Sequence, residues 1–343
     1  MSALPQTGAW AVDEHQLDRN ASVEAKLQFA LRYAVLAPSN HNTQPWHFIL
    51  DGDSVTVCAD RLRALPVVDP FDRELIMSCG AALFNLRVAL SYFGLAYAIT
   101  LFPSRADPDV LAHLRIVHDG HCDASLAPLF RAIARRVTTR EIFADEPLPS
   151  LIQQQLADAA EAEGADVVCI SSAPLRESLA ELVAEADRVQ FKDPRFRREL
   201  ASWIHPRRRE DGMPALSAGM TVLLDLAAPL LTSVIRTFDL GGGLAAAHHA
   251  LAAGSPLLIC ISTSTDDASA WLAAGQALER LLLVAANAGI TASYLNQPIE
   301  LTLLRERLGA TLAMDAVPQL LLRVGRGKPA PHSPRRPLAE VVS

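Results

Sequence analysis

"APSNHNTQPW", residues 37–46, crowds a proline, a serine and the side-chain amides of Asn40, Asn42 and Gln44 into a short stretch, then closes on Pro45 and Trp46. Pro38 ends a preceding helix and turns Ala37 away from helical geometry. Ser39, Asn40 and Asn42 then fall on a loop, where backbone N–H groups are free and side chains are short. These residue types cap helices and shape turns. They also suit amide-to-edge hydrogen bonding with a flat heterocycle. The stretch occurs once in 343 residues.

Upstream, the pattern predicts a helix over residues 14–36. Downstream, "PWHFIL" and "SVTVCAD" form a predicted hairpin through "DGDS", with Gly52 free to take a positive φ. "ELIMSCGAALFNLRVALSYFG" is a strongly apolar helix stopped by Gly94. "AYAITLF" and "HLRIVHD" are short strands. A second unit starts near "RAIARRVTTREIF", residues 131–143. It continues with a helix over 149–163, the strand "ADVVCI" and the amphipathic helix "APLRESLAELVAEADRVQF". Residues 192–245 are irregular by pattern. "SPLLICIST" is a buried strand by composition, and "DASAWLAAGQALERLLLVAANAG" is a helix with Leu278, Leu281, Leu282 and Ala285 on one face. "ITASYL" and "VPQLLLRVG" are strands, and a proline-rich tail follows. Each half interleaves helices and short strands around one long apolar helix, which indicates an α+β fold with helices packed around antiparallel sheets.

Half of the residues are hydrophobic and a fifth are charged, which suits a soluble globular chain. The net charge of −7 argues against a nucleic-acid partner, because phosphate binding needs a basic face. The five cysteines are scattered without a C-x-x-C pair, so reduced thiols in a cytoplasmic protein are expected, with no metal site. "MSALPQTGAWAVDEHQ" is mixed and acidic and lacks a leader pattern. The apolar run from Ser217 to Ile235 is interrupted by Asp225 and Pro229, so it is expected as a buried or lid helix and no membrane partner is expected.

Three further pieces could carry chemistry. In "RRVTTR", residues 135–140, an extended backbone places Arg136, Thr138 and Arg140 on one side, and two guanidinium forks flanking a hydroxyl suit a phosphate. The same hexamer also suits a solvated basic surface. The tail "RRPL" brings Arg335 and Arg336. "YLNQPIE", residues 294–300, joins a strand to a helix and offers Pro298, Ile299 and Glu300 to a ligand. "LGGGLAAAHHA" lacks dinucleotide-loop spacing. His248 and His249 are adjacent and face different sides of a helix, poor geometry for a metal. "HPRRRED", residues 205–211, has the composition of a solvated loop. No catalytic nucleophile or triad is present.

Together these pieces resemble the FMN-binding nitroreductase superfamily. Arg136, Thr138 and Arg140 resemble its R-x-S-x-[KR] motif, with Thr for Ser. In the family that motif holds the FMN phosphate by its first Arg and hydroxyl, and its last cation reaches the pyrimidine edge. Pro38, Ser39, Asn40, Asn42, Gln44, Pro45 and Trp46 resemble its P-S-x-x-N-x-Q-P-W loop, which in the family comes from the other subunit of a dimer. Arg335 and Arg336 resemble the basic tail that completes the phosphate site. Pro298, Ile299 and Glu300 resemble the P-I-E-G segment near flavin N5, with Leu301 where Gly is expected.

Here the loop precedes the arginine motif, and each half lacks what the other keeps. The order resembles the Acg-type branch of actinobacterial nitroreductase-like proteins, as do "DRELIMSCGAALFNLRVAL" and "RRVTTR". The resemblance implies a fused pseudo-dimer, with residues 1–130 and 131–343 as two nitroreductase-like halves around one composite FMN site. It implies electron transfer from NAD(P)H to a nitro, quinone or related small-molecule acceptor, with no side chain needed as acid or base. The alternative is a protein that stores FMN beneath a lid at about 192–243. Arg195, Arg198 and Arg207 are candidates for a further flavin-edge cation. A monomer suffices, because the usual dimer surface is used inside the chain, and further association is left open.

Overall fold

In this computed structural model the described residues are 8–205, 210–214, 228–328 and 330–343. Helix α1 (Val23–Ala34) begins where the Ser22 hydroxyl accepts from the Ala25 N–H at 3.2 Å. The expected earlier start at Glu14 is not found. Glu14–Gln16 is an isolated 3-10 turn, and the Asp18 carboxylate takes the Asn20 N–H at 2.9 Å, so a side-chain turn replaces the helical ladder there. Leu27, Ala30, Leu31 and Ala34 then line one buried stripe of α1.

Strand β1 (Trp46–Asp51) turns through Gly52, whose φ is +55°, into β2 (Ser54–Ala59). Helix α2 (Arg73–Tyr92) is buried almost all round, and β3 (Tyr97–Leu101) and β4 (Val110–Ile116) complete an antiparallel sheet in the order β1-β2-β4-β3. A short helix α3 (Phe130–Ile133) leads out of this half.

The second half repeats the plan. Helix α4 (Ser150–Glu161) precedes β5 (Asp166–Ile170). An insertion then holds α5 (Ala173–Lys192), α6 (Pro194–Ser202), the paired strands β6 (Ile204–His205) and β7 (Met213–Pro214), α7 (Ala228–Thr237) and α8 (Gly241–Ala253). Strand β8 (Leu257–Thr263), α9 (Ala268–Asn287), β9 (Thr291–Tyr294), α10 (Thr302–Thr311) and β10 (Val317–Gly325) follow, with the sheet order β5-β8-β10-β9. Each sheet thus places its strands first, second, fourth, third. The Gly52 hairpin of the first half corresponds to the whole insertion in the second.

The pattern-poor stretch 192–245 therefore contains ordered helix. Pro194 stands at the first helical position with the Asp193 carboxylate as cap, a place where proline starts a helix rather than breaking one. Of the apolar run from Ser217 to Ile235, the part before Ala228 lies outside the described residues.

The insertion also explains why "SPLLICIST" carries no alternation. Leu257, Ile259 and Ile261 face α9 and α4, while Leu258 and Cys260 face α5 and α8, so β8 is buried on both faces. In β1, by contrast, Trp46 and Phe48 are buried and Ile49 is exposed.

Helices α2 and α9 are each 20 residues long and cross at the eighth residue of each, Gly80 and Gly275. A Cβ on Gly80 would stand 2.4 Å from Leu272 O, and one on Gly275 2.0 Å from Met77 O, so the two backbones touch. The equivalent position of the two glycines marks the internal pseudo-two-fold relation. Two chain crossings add to it. The C-terminus lies parallel to β1, with the Phe48 N–H donating to Val341 O at 2.8 Å and the Leu50 N–H to Ser343 O at 2.9 Å. Thr138 forms a parallel bridge to Ala292 in β9.

Candidate functional site

The loop after α1 is strained. His41, Asn42 and Gln44 take φ of +47°, +56° and +52°. Three non-glycine residues in the left-handed region within four positions must be held by their surroundings. The holding groups are side chains. The Ser39 hydroxyl accepts from the Gln44 N–H at 2.9 Å. The Asn42 amide donates to Gly212 O and Pro334 O, each at 3.0 Å, and accepts from Arg335 Nη1 at 2.8 Å. The Gln44 amide donates to Glu210 O at 2.8 Å and accepts from the Arg336 N–H at 2.8 Å. Asn42 and Gln44 thus tie the loop to the tail and to the insertion, and their hydrogen-bonding capacity is directed to protein. Of "HPRRRED", expected as a solvated loop, Glu210 is exposed and its carbonyl takes the Gln44 amide, so the segment's backbone touches this strained turn.

Asn40 points the other way and donates to Glu74 Oε2 at 2.5 Å. Glu74 also takes Arg73 Nη2 at 2.9 Å and Asn296 Nδ2 at 3.4 Å. Glu300 accepts from Gln190 at 2.5 Å. Burial pushes Glu74 up to about 7, with Arg73 opposing and Asp69 adding to the rise. Burial, then the nearby Glu74, holds Glu300 well above the ordinary carboxylate range. The backbone of the Pro298–Ile299–Glu300 segment is turned inward: the Ile299 and Glu300 N–H groups donate to Asn296 O at 2.7 and 3.0 Å. Pro298 and Ile299 are buried.

The arginines gather at the opposite end. Arg136 Nη2 donates to Leu36 O at 2.9 Å, and its Nε lies 3.3 Å from Glu279 Oε1 without an aligned hydrogen bond. Arg335 donates to Leu36 O at 3.2 Å and Ala37 O at 2.9 Å, and stacks over Trp10 at 5.0 Å. These guanidinium groups sit on the carbonyls of the turn that follows α1. Arg140 has neither hydrogen bond nor ion pair among the described residues. Arg323, 1% exposed, donates to Thr139 O and Glu141 O, each at 2.9 Å, and so fixes the backbone on both sides of Arg140. Arg336 turns outward to Glu340, 3.5 Å away, and Asp60, 3.9 Å away.

The cluster is positive and poorly hydrated. Burial, then Arg136, lowers Arg335 to about 9, and burial, then Arg140, lowers Arg323 to about 10. The protein atoms crowded around Arg140 lower it, with only Tyr294 opposing, although its side chain remains open to solvent. His41 falls to about 4 through burial and Arg140, and His332 to about 4 through burial, Arg136 and Arg335. Glu279 is the buried carboxylate set against these cations. Buried polar atoms without a hydrogen-bond partner collect here: His41 Nδ1, both amide atoms of Asn85, Arg136 Nε, both Glu279 oxygens, Tyr294 Oη, His332 Nδ1 and Arg335 Nε. Cations in excess and unmatched buried donors together describe a place for an anion.

Over 99% of its length the chain is 31% identical to Rv3131 of Mycobacterium tuberculosis, a protein bearing a provisional NAD(P)H nitroreductase name, and covers 96% of that protein. The chain belongs to the NAD(P)H nitroreductase family. A second nitroreductase-named relative, Acg of Mycobacterium tuberculosis, is 29% identical over 92% of the chain and 94% of its own length. PigM of Serratia, also named for this activity, is 25% identical over 91% and 92%. No family model matches. Among solved structures, the FMN-dependent nitroreductase NfnB of Mycobacterium smegmatis in complex with NADPH aligns at 16% identity with a TM-score of 0.42, covering 64% of this chain and 98% of that one.

In this nitroreductase-family chain, Arg136 and Arg335 meet at the start of the loop and Arg140 lies near its His41, while Arg336 joins the loop through its backbone N–H, Thr138 pairs with Ala292, and Glu300 lies toward Glu74. Arg195 pairs with Asp193 at 2.9 Å on the exposed side of α6, and Arg198 is exposed beside it. Arg207 lies outside the described residues. Two open surface grooves, one lined by Ser125, Gln155 and Arg280 and the other by Leu62, Arg195 and Trp203, involve none of the converging residues. Glu279, Tyr294, Arg323 and Glu74 were not anticipated. Two of them leave a trace in the sequence: Glu279 interrupts the apolar face of "ALERLLL", and Arg323 interrupts "LLLRVG".

Proposed function

We propose that this chain is an FMN-dependent oxidoreductase that carries electrons from NAD(P)H to a small-molecule acceptor of the nitro or quinone class. It would hold one FMN per chain where residues 38–44, 136–140 and the tail meet, with the two halves dividing near residue 130. The observation that carries this reading is Arg140: a solvent-exposed guanidinium at the edge of the cationic cluster, without a hydrogen-bond or ion-pair partner among the described residues, and braced from behind by Arg323.

The residues present fit the group. Arg136 and Arg335 are anchored through Leu36 O and keep an unmatched Nε each, which would serve the phosphate with the Thr138 hydroxyl between the two arms of its motif. Arg140 would stabilise negative charge at the pyrimidine edge, the place the family resemblance assigns to the last cation of the motif. Asn40, fixed by Glu74, would meet the flavin from the other side of the loop. When bound, the flavin supplies hydride acceptance and donation, which is why the site needs no nucleophile or triad. Nitroreductase-named relatives aligned over nearly the whole chain support the same activity.

The test is anaerobic mixing of FMN-loaded protein with NADH or NADPH, followed by addition of a nitroaromatic or a quinone. Bleaching of the flavin absorbance and its return with the acceptor are expected, at one FMN per chain. Firm FMN retention without bleaching by either nicotinamide would remove the enzyme and leave a flavin-storing protein. Two FMN per chain would remove the composite site.

A further inference from the structure

Glu279 has no role in the reading above, yet it occupies the centre of the cationic end. It is fully buried on α9, with Arg136 Nε at 3.3 Å and the Asn85 amide within reach, but neither contact has well-aligned hydrogen-bond geometry. The groups that face it come from each surrounding element. Arg136 lies on the crossing segment and Arg335 on the tail. Asn85 lies on α2 with both amide atoms unmatched, and Tyr294 on β9 with its hydroxyl unmatched. His332 adds a neutral imidazole beside both arginines.

A carboxylate held this way is half a site. It compensates the arginines while no other anion is present, but satisfies neither its own lone pairs nor the guanidinium N–H groups. An incoming phosphate dianion must share Arg136 and Arg335 with it, in a space where burial makes every unpaired or repelled charge costly. The least costly resolution neutralises one of the two anions, and the carboxylate is the one with a proton-accepting state close at hand.

We propose that FMN binding is coupled to uptake of one proton at Glu279, so that the carboxylate which pairs with Arg136 in the flavin-free protein becomes a neutral carboxyl when the phosphate takes its place. This rests on the reading that the site binds FMN. No redox step is involved; the proton comes from solvent and is returned when the flavin leaves. Burial already raises Glu279 to about 7, with Arg136 opposing, so the exchange falls near neutral pH. FMN affinity then falls as pH rises above about 7, by up to about tenfold per unit, because the proton taken up becomes scarcer. Riboflavin, which lacks the phosphate, has no such dependence.

The experiment measures protons taken up per flavin at pH 8, by calorimetry in buffers of different ionisation enthalpy, for wild type and Glu279→Gln with FMN and with riboflavin. At that pH the free phosphate is already a dianion, its second pKa being about 6. Close to one proton per FMN is expected in wild type, and none in Glu279→Gln or with riboflavin. Equal uptake by wild type and Glu279→Gln, or no uptake by wild type while FMN binds well, overturns the coupling and leaves the flavin site standing. Absence of FMN binding to wild type at any pH overturns the function and the coupling together. Should Glu279→Gln not fold, infrared difference spectra of wild type decide: a protonated-carboxyl band gained with FMN and not with riboflavin is expected, and its absence counts against the proposal.

Discussion

Arg136 and Arg335, distant in the chain, donate to the same carbonyl, Leu36 O, at 2.9 and 3.2 Å. One arginine lies on the segment between α3 and α4 and the other on the C-terminal tail, while the carbonyl belongs to the last turn before the 37–46 loop. The shared acceptor joins the three segments of the cationic end, and its neighbours inherit its geometry: Arg335 continues to Ala37 O and to Asn42 Oδ1, which holds a residue of positive φ.

Arg335→Ala is therefore expected to cost about 3 kcal/mol of stability, the scale for removing a buried charged donor from several acceptors. It should also release the strained loop and weaken FMN binding. Arg336→Ala should cost under about 1 kcal/mol, because its ion pairs to Asp60 and Glu340 are long and partly solvated. Urea unfolding of both variants checks the contrast; equal losses would remove the assignment of Arg335 as the tail's anchor.

The α2–α9 crossing makes a steric prediction. Gly275→Ala would put a Cβ 2.0 Å from Met77 O, a backbone atom that cannot rotate away. A loss of about 1–3 kcal/mol or more is expected, since the whole helix pair must separate. Gly243→Ala in α8 meets nothing within 4 Å and should be neutral or stabilise by up to about 1 kcal/mol. Thermal unfolding of the two variants separates backbone contact from simple loss of glycine.

How far the sequence showed this arrangement depends on range. The helices and strands with one buried face were legible, because Leu27 to Ala34 and Trp46 to Leu50 repeat at helical and strand periods. The strand at 257–263 was legible only as an apolar run, since the insertion that buries its second face comes from elsewhere in the chain. The loop and "RRVTTR" were legible as a pair through the family resemblance. What they do for each other was not: Asn42 and Gln44 hold the tail and residues 210–212, contacts that form only when segments about 170 to 290 residues apart meet. Glu279 and Arg323 are visible in the sequence only as charges in apolar runs, and nothing local shows that their partners lie on residues 136–141.

Arg323 provides the third prediction. Its two bonds to Thr139 O and Glu141 O and its stacking over Phe143 at 4.4 Å hold the backbone that aims Arg140. Lysine keeps the charge but cannot span both carbonyls in a fixed plane. Arg323→Lys should weaken FMN binding roughly 10-fold or more and make the flavin harder to reduce, because Arg140 no longer sits at a fixed point. Flavin titration and the midpoint potential are the measurements. A variant with unchanged potential and affinity would show that Arg140 is aimed by other contacts.

The buried carboxyl end sets a pH dependence of stability with a definite sign. Glu74 titrates near 4.5 when unfolded and is raised to about 7 by burial in the fold. Its folded pKa lies above its unfolded one, so the stability it contributes is complete below about 4.5, declines as pH rises through that window, and is lost above about 7. Glu300, raised in the same direction, adds to the decline. The slope from each group is at most about 1.4 kcal/mol per pH unit. Urea midpoints measured from pH 5 to 7.5 should fall steadily in wild type. Glu74→Gln has no proton to lose and keeps one oxygen to accept from Arg73, while its amide N–H group requires Asn40 to turn its own oxygen inward, so its midpoints should start lower but fall less steeply over the same range. A parallel fall in both proteins would mean that Glu74 remains ionised in the fold, with Arg73 and Asn40 outweighing its burial.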